Sequence, residues 1–328
     1  NFSDIIGQKE VVAGLKNSIR NRKIGHAYIF NGPRGIGKET LARIFTGMLL
    51  CDNPYEHGSC GSCIPCRMFS EGSNPDFFEV KSDAASISVD DIRHMQSDIA
   101  IRPFYGNRKV YLIPNAHRMT VQAQNCLLKT LEEPPGFAVI ILTVSNYDAL
   151  LETVRSRAVR YNFRKNTYPE VKGYLQKKFG SGMEGLEFIA SYADGVIGAA
   201  LELAEDREFV LLREKTIETV LKIRCSGLDE VLHMSGFFEE NKADADIIFD
   251  VMVSLYRDML FVKKSSGENV LINSDKRDII FNNAGVFTIP KLLDNIGLIE
   301  ETRTKIKKNV NFQLSIEVML MKLQEERA

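Results

Sequence analysis

The sequence predicts an α/β domain built on a parallel sheet and followed by helical regions. Short apolar runs at 27–30, 109–113 and 138–144, the last two rich in β-branched residues, read as buried strands. Helical patterns fall between those runs, the alternation a parallel sheet requires. After about Arg164 the strand signal stops, and from about residue 207 the chain reads as helix after helix.

Each element has its own signal. Ala27-Tyr28-Ile29-Phe30 is a buried strand ending in a Gly-rich turn. Leu41, Ile44, Phe45, Met48 and Leu49, spaced i, i+3, i+4, i+7, i+8, form the apolar stripe of the helix that follows. Ser88 with Asp91 three residues on marks the start of a helix running to about Ala100. Ala123, Leu127, Leu128 and Leu131 share one face of another helix, which Pro134-Pro135 stops. Residues 166–206 hold short helical stretches broken by Gly180, Gly182, Gly195 and Gly198, and the last helix carries Phe312, Ile316, Met319, Leu320 and Leu323 on one side. The reading is an α/β domain over 1–165, a small helical domain over 166–206 and a helical domain over 207–328.

Composition narrows the function classes. The 328 residues carry a net charge of −1, with 44% hydrophobic and 26% charged residues, as in a globular protein and unlike a disordered or collagen-like chain. The longest apolar run, 138–144, falls far short of the ~20 residues that span a bilayer. Asn1-Phe2-Ser3-Asp4 has neither the basic nor the apolar region of a secretory signal, so the expectation is a cytoplasmic protein with no membrane partner. Residues 1–165 hold 21 basic against 16 acidic residues, and 166–328 hold 21 against 27, so the front half is better suited to phosphate or nucleic acid.

Gly32-Pro33-Arg34-Gly35-Ile36-Gly37-Lys38-Glu39 fits the phosphate-loop pattern G-x-x-x-x-G-K-[ST] except at its last position. It follows a strand and opens a helix, where backbone N–H groups and Lys38 would meet phosphates. Gly32, Gly35, Gly37 and Lys38 are therefore the candidate nucleotide-binding residues. Glu39 replaces the hydroxyl that ligates Mg²⁺, and Thr40 is no substitute, because one helical residue rotates the side chain by about 100°. A hydrolysing enzyme also needs carboxylates after its next core strand; here Pro114-Asn115 follows Lys109–Ile113. Hydrolysis is not expected, and ATP or ADP binding is expected to be weak or absent.

Cys51, Cys60, Cys63 and Cys66 form C-x8-C-x2-C-x2-C, which in a reducing compartment reads as metal ligation. Four thiolates suit a closed structural zinc site. The rival is an iron–sulfur cluster, whose run calls for a cysteine where Ser70 stands. His57 is a spare ligand, while Cys126 and Cys225 read as core residues. Arg67 among Asp52, Glu56 and Glu71 is no basic patch, which argues against direct base reading.

Four segments then carry a family resemblance: Asp4–Gln8, His26–Gly32, Asn125–Pro135 (NCLLKTLEEPP) and Ser156-Arg157. The chain resembles the clamp-loader subunits of bacterial DNA polymerase III, in the AAA+ group. The match is strong over 1–165, moderate over 166–206, and limited to helical character beyond. Glu39, Pro114, Asn115 and Gly198 depart from the motor subunits of that family, which place a nucleotide-sensing Arg where Gly198 stands; the departures resemble the delta-prime type. The resemblance also implies the four-Cys zinc module and a collar role for 207–328. Arg157 would act as an arginine finger in a neighbouring subunit's ATP site. The partners implied are the motor subunits and the delta subunit, with the sliding clamp and primed DNA reached through the complex. Without the resemblance, Arg157 beside Arg155 and Arg160 would read as a surface ion-pair residue. The competing functions are an active AAA+ ATPase and a zinc-containing DNA-binding regulator.

Overall fold

A computed structural model describes residues 1–81, 86–183, 185–223, 226–264 and 271–324. Cys225 lies outside them. The chain divides into two compact units. The first comprises Asn1–Tyr174 with Asp194–Ala199, and the second Leu175–Ala193 with the chain from Ala200 onward.

In the first unit, strands β1 (Ala27–Asn31), β2 (Phe77–Glu79), β3 (Lys109–Ile113), β4 (Ala138–Val144) and β5 (Val159–Asn162) form one sheet in the order β2-β3-β4-β1-β5. All neighbouring pairs are parallel. Helices α1 (Lys9–Arg20), α2 (Lys38–Leu50), α3 (Ile64–Ser70), α4 (Val89–Ile99), α5 (Val121–Glu132) and α6 (Glu152–Arg155) surround it. The two-residue period of the strands separates two cores. Ile29, Tyr111, Ile113, Ile140 and Leu142 pack with Ile92 and Met95 of α4 and Ala123, Leu127 and Leu131 of α5. Tyr28, Phe30, Val110, Leu112, Val139 and Ile141 pack with Val11 and Leu15 of α1 and Leu41, Phe45 and Met48 of α2. With helices on both faces, β1, β3 and β4 can be largely apolar, which makes them legible in the sequence.

Local chemistry sets the helix starts. Ser88 and Asp91 make a reciprocal capping box at α4, and the Thr120 hydroxyl accepts the Ala123 N–H at α5. Strands β2 and β5 carry no such apolar run in the sequence. The former is three residues long, and the latter is an edge strand with exposed Val159, Arg160 and Asn162. On the loop before β3, the buried carboxylate of Asp76 accepts the N–H groups of Phe104 (2.6 Å) and Tyr105 (2.9 Å), holding the Phe104 ring out at 77% exposure.

Helices α7 (Tyr168–Phe179) and α9 (Ile197–Glu205) each contribute to both units; α8 (Leu186–Tyr192) and α10 (Arg207–Ile223) belong to the second. That unit continues as α11 (Leu228–His233), α12 (Ser235–Glu240), α13 (Ala245–Lys264), α14 (Arg277–Ala284), α15 (Ile289–Lys307) and α16 (Phe312–Gln324). Phe188, Phe209, Phe249, Met252, Leu255, Ile299, Ile316 and Met319 are among its buried residues. Within it Arg213, 2% exposed, makes two 2.8 Å bonds to Asp275 and one of 2.9 Å to Asn273, and lies 4.5 Å from the Phe188 ring. Asn273 in turn donates to Asp258 (2.9 Å), whose carboxyl burial holds above its ordinary range. Among the described residues no helix is long and apolar enough to cross a membrane.

Candidate functional site

The phosphate loop leaves the C-terminal end of β1 and enters α2. Gly35 (φ +76°) and Gly37 (φ +96°) take left-handed conformations that favour glycine. Lys38 is buried, and its ammonium donates to the carbonyls of Gly32 (2.7 Å) and Pro33 (2.6 Å), so it is turned back onto its own loop. Burial lowers its pKa from the ordinary 10.5, against the opposing pull of Glu39.

Beside the loop lies a cavity of about 750 Å³, lined by Arg34, Lys38, Asn115, His117, Arg118 and Ser145 among others. Among the described lining residues Glu39 supplies the only carboxylate. Asn115 is left-handed (φ +50°), and its N–H donates to the Thr143 hydroxyl (3.0 Å). Gly198 is joined to the loop by backbone: its N–H donates to the Gly35 carbonyl at 2.8 Å, and a Cβ at 198 would stand 2.7 Å from that oxygen. There is no room for a side chain where the resemblance puts an Arg in motor subunits.

Sequence reasoning missed the contact between His117 and Ser145, 3.1 Å between Nε2 and Oγ. Adjacent strands β3 and β4 deliver these residues from their C-terminal ends, so only the strand order, not the local sequence, could have paired them. Burial, then the charges of Lys38 and Arg118, lower the His117 pKa and favour the neutral ring.

The structure brings Cys51, Cys60, Cys63 and Cys66 together, with all four sulfurs within 4.8 Å of one another. Cys51 ends α2, while Cys63 precedes α3 and Cys66 lies within it. A tetrahedral ion with Zn–S bonds of about 2.3 Å needs sulfurs ~3.8 Å apart; Cys60 and Cys66 stand at 3.9 Å. The N–H groups of Cys60 and Cys63 point at the sulfurs of Cys51 (3.2 Å) and Cys60 (3.3 Å), as donors that stabilise thiolates would. Chiefly through the Cys63 N–H, the Cys60 thiol is drawn down to about 6, whereas burial pushes Cys51 up to about 12. The cluster can hold a metal ion. His57 contacts Lys16 instead (2.9 Å), and Cys126 is partly buried against the α4–α5 core.

Arg157 lies between α6 and β5 and is not among the residues that line the loop cavity. Its Nη2 pairs with Glu132 Oε1 at 2.8 Å and its Nη1 donates to the Thr153 carbonyl at 3.0 Å.

The arrangement is an α/β phosphate-loop domain with a cysteine cluster and a helical C-terminal unit, and comparisons with known proteins agree. Residues 7–167 match the family described as DNA polymerase III, delta subunit, and 208–325 match that described as its C-terminal region. The chain belongs to this family of clamp-loader subunits of bacterial DNA polymerase III. It is 29% identical to subunit delta' of Bacillus subtilis over 334 residues, covering 97% of this chain and 96% of that protein. It is 30% identical to subunit tau of the same organism over 346 residues, covering 98% of this chain but 61% of tau. Against three tau, tau/gamma and gamma relatives the chain spans between 30% and 61% of their length. A solved gamma-subunit-related protein of Thermotoga maritima is 21% identical, with a TM-score of 0.43 over 95% of this chain and 98% of that one.

Proposed function

We propose that this chain is a non-hydrolysing, delta-prime-type subunit of the clamp loader, which supplies Arg157 as an arginine finger to a neighbour's ATP site. The observation that carries the non-hydrolysing reading is the phosphate-loop cavity. Lys38 is committed to two carbonyls, Pro114-Asn115 offers no carboxylate for metal or water, and the Gly198 backbone lies against Gly35. A loop so arranged retains the fold of a nucleotide site without the groups that turn ATP over. ATP or ADP binding by it is accordingly weak or absent.

In this reading the four cysteines hold one structural zinc ion with no open position for chemistry. Residues 166–206 act as a lid and 207–328 as the collar that joins motor and delta subunits. The assembled loader places the sliding clamp on primed DNA in the cytoplasm, and the chain meets clamp and DNA through the complex.

The test is DNA-stimulated ATP turnover in a reconstituted loader, comparing wild type with Arg157→Ala after zinc content and assembly are checked. A drop of about 10³-fold per site served by the finger is expected. Unchanged turnover with the ring intact would remove the finger role, and hydrolysis by the isolated chain would show a motor subunit instead.

A further inference from the structure

We propose that Glu132 parks Arg157, holding the guanidinium against its own subunit until a neighbour's triphosphate competes for it. This rests on the arginine-finger reading above and adds to it a positioning residue, Glu132. One helix, α5, fastens the Arg157 segment at two points of unequal strength. The first is Gln124, 2% exposed. Its amide accepts the Leu151 N–H (2.7 Å) and donates to the Ala149 carbonyl (3.0 Å), fixing the turn that enters α6. A buried amide satisfied on both sides is costly to disturb, so the base of the finger segment is firm.

The second point is Glu132, about two turns further on and the last residue of α5. It meets Arg157 at 2.8 Å, with the two side chains 36% and 49% exposed. The Arg157 Nη1 bond to Thr153, four residues back, shows the guanidinium folded along its own α6. An exposed pair of this kind is weak and exchanges readily for a stronger anion. A phosphate group is such an anion, because it can accept two guanidinium N–H bonds at once. The neighbouring arginines are engaged otherwise: Arg155 pairs with Asp148 (2.9 Å), and Arg160 lies 3.8 Å over the Tyr147 ring. The local geometry thus gives Arg157 a firm base and a releasable tip.

The experiment is ATP turnover by the reconstituted loader, with and without primed DNA, for wild type, Glu132→Gln, Glu132→Asp, Arg157→Ala and the double variant Glu132→Gln/Arg157→Ala. Glu132→Gln should raise DNA-independent turnover about two- to five-fold, the range that release of an exposed ion pair allows. Glu132→Asp, which keeps the charge, should stay near wild type, and Glu132→Gln should have no effect when Arg157 is already Ala. If Glu132→Gln leaves or lowers the rate while Arg157→Ala lowers DNA-stimulated turnover, the parking role is overturned and the finger reading stands. A gain that persists without Arg157 also overturns it, since Glu132 would then act elsewhere. If Arg157→Ala itself changes nothing, the finger reading fails and this inference with it.

Discussion

The ammonium of Lys38 sits 2.7 Å from the Gly32 carbonyl and 2.6 Å from that of Pro33 while almost fully buried. Its folded pKa lies below 10.5, so burial destabilises the charged form, and that cost disappears as pH rises through the folded value toward 10.5. Lys38→Met should therefore raise the stability of the first unit at pH 7, with a smaller gain at pH 10, as urea titration at both pH values can show. Loader turnover should not change. At Gly198 the limit is space. An Arg introduced there meets the Gly35 backbone within 3 Å, so Gly198→Arg should cost about 1–3 kcal/mol in thermal melts and create no nucleotide affinity in calorimetry.

Among the elements, the cysteine module joins the C-terminal end of α2 to the start of α3. Chelating a metal ion loaded onto the cysteines should raise amide exchange over 51–66 while β1, β3 and β4 stay protected, and acidification should release the ion as the thiolates protonate. Uniform loss of protection would make the ion a determinant of the whole unit. The clustering of the four cysteines was legible because their close spacing constrains what they can do, and the central strands because burial on both faces leaves a largely apolar run. Strand β5 was not, since an edge strand with exposed Arg160 and Asn162 carries no such run. The Glu132–Arg157 pair was equally hidden. Each residue stands in a motif of its own, yet they are 25 positions apart in the chain, and only the packing of α5 on α6 brings them together.

At the scale of the molecule, the division into two compact units predicts stepwise unfolding. Scanning calorimetry should give a van't Hoff enthalpy below the calorimetric one, with two resolvable transitions. Arg213→Ala removes the guanidinium from buried Asn273 and from Asp275 at the surface, so it should lower that unit's transition by the equivalent of about 1–3 kcal/mol and leave the other in place. A shift of both transitions would mean that the units unfold together. The bracing of the Phe104 loop by Asp76 also has a practical use. The chain contains no tryptophan, so Phe104→Trp would place a lone indole on an anchored, solvent-facing mount. Its emission would turn blue whenever another molecule covered that loop, giving a spectroscopic record of docking against a background free of other indoles.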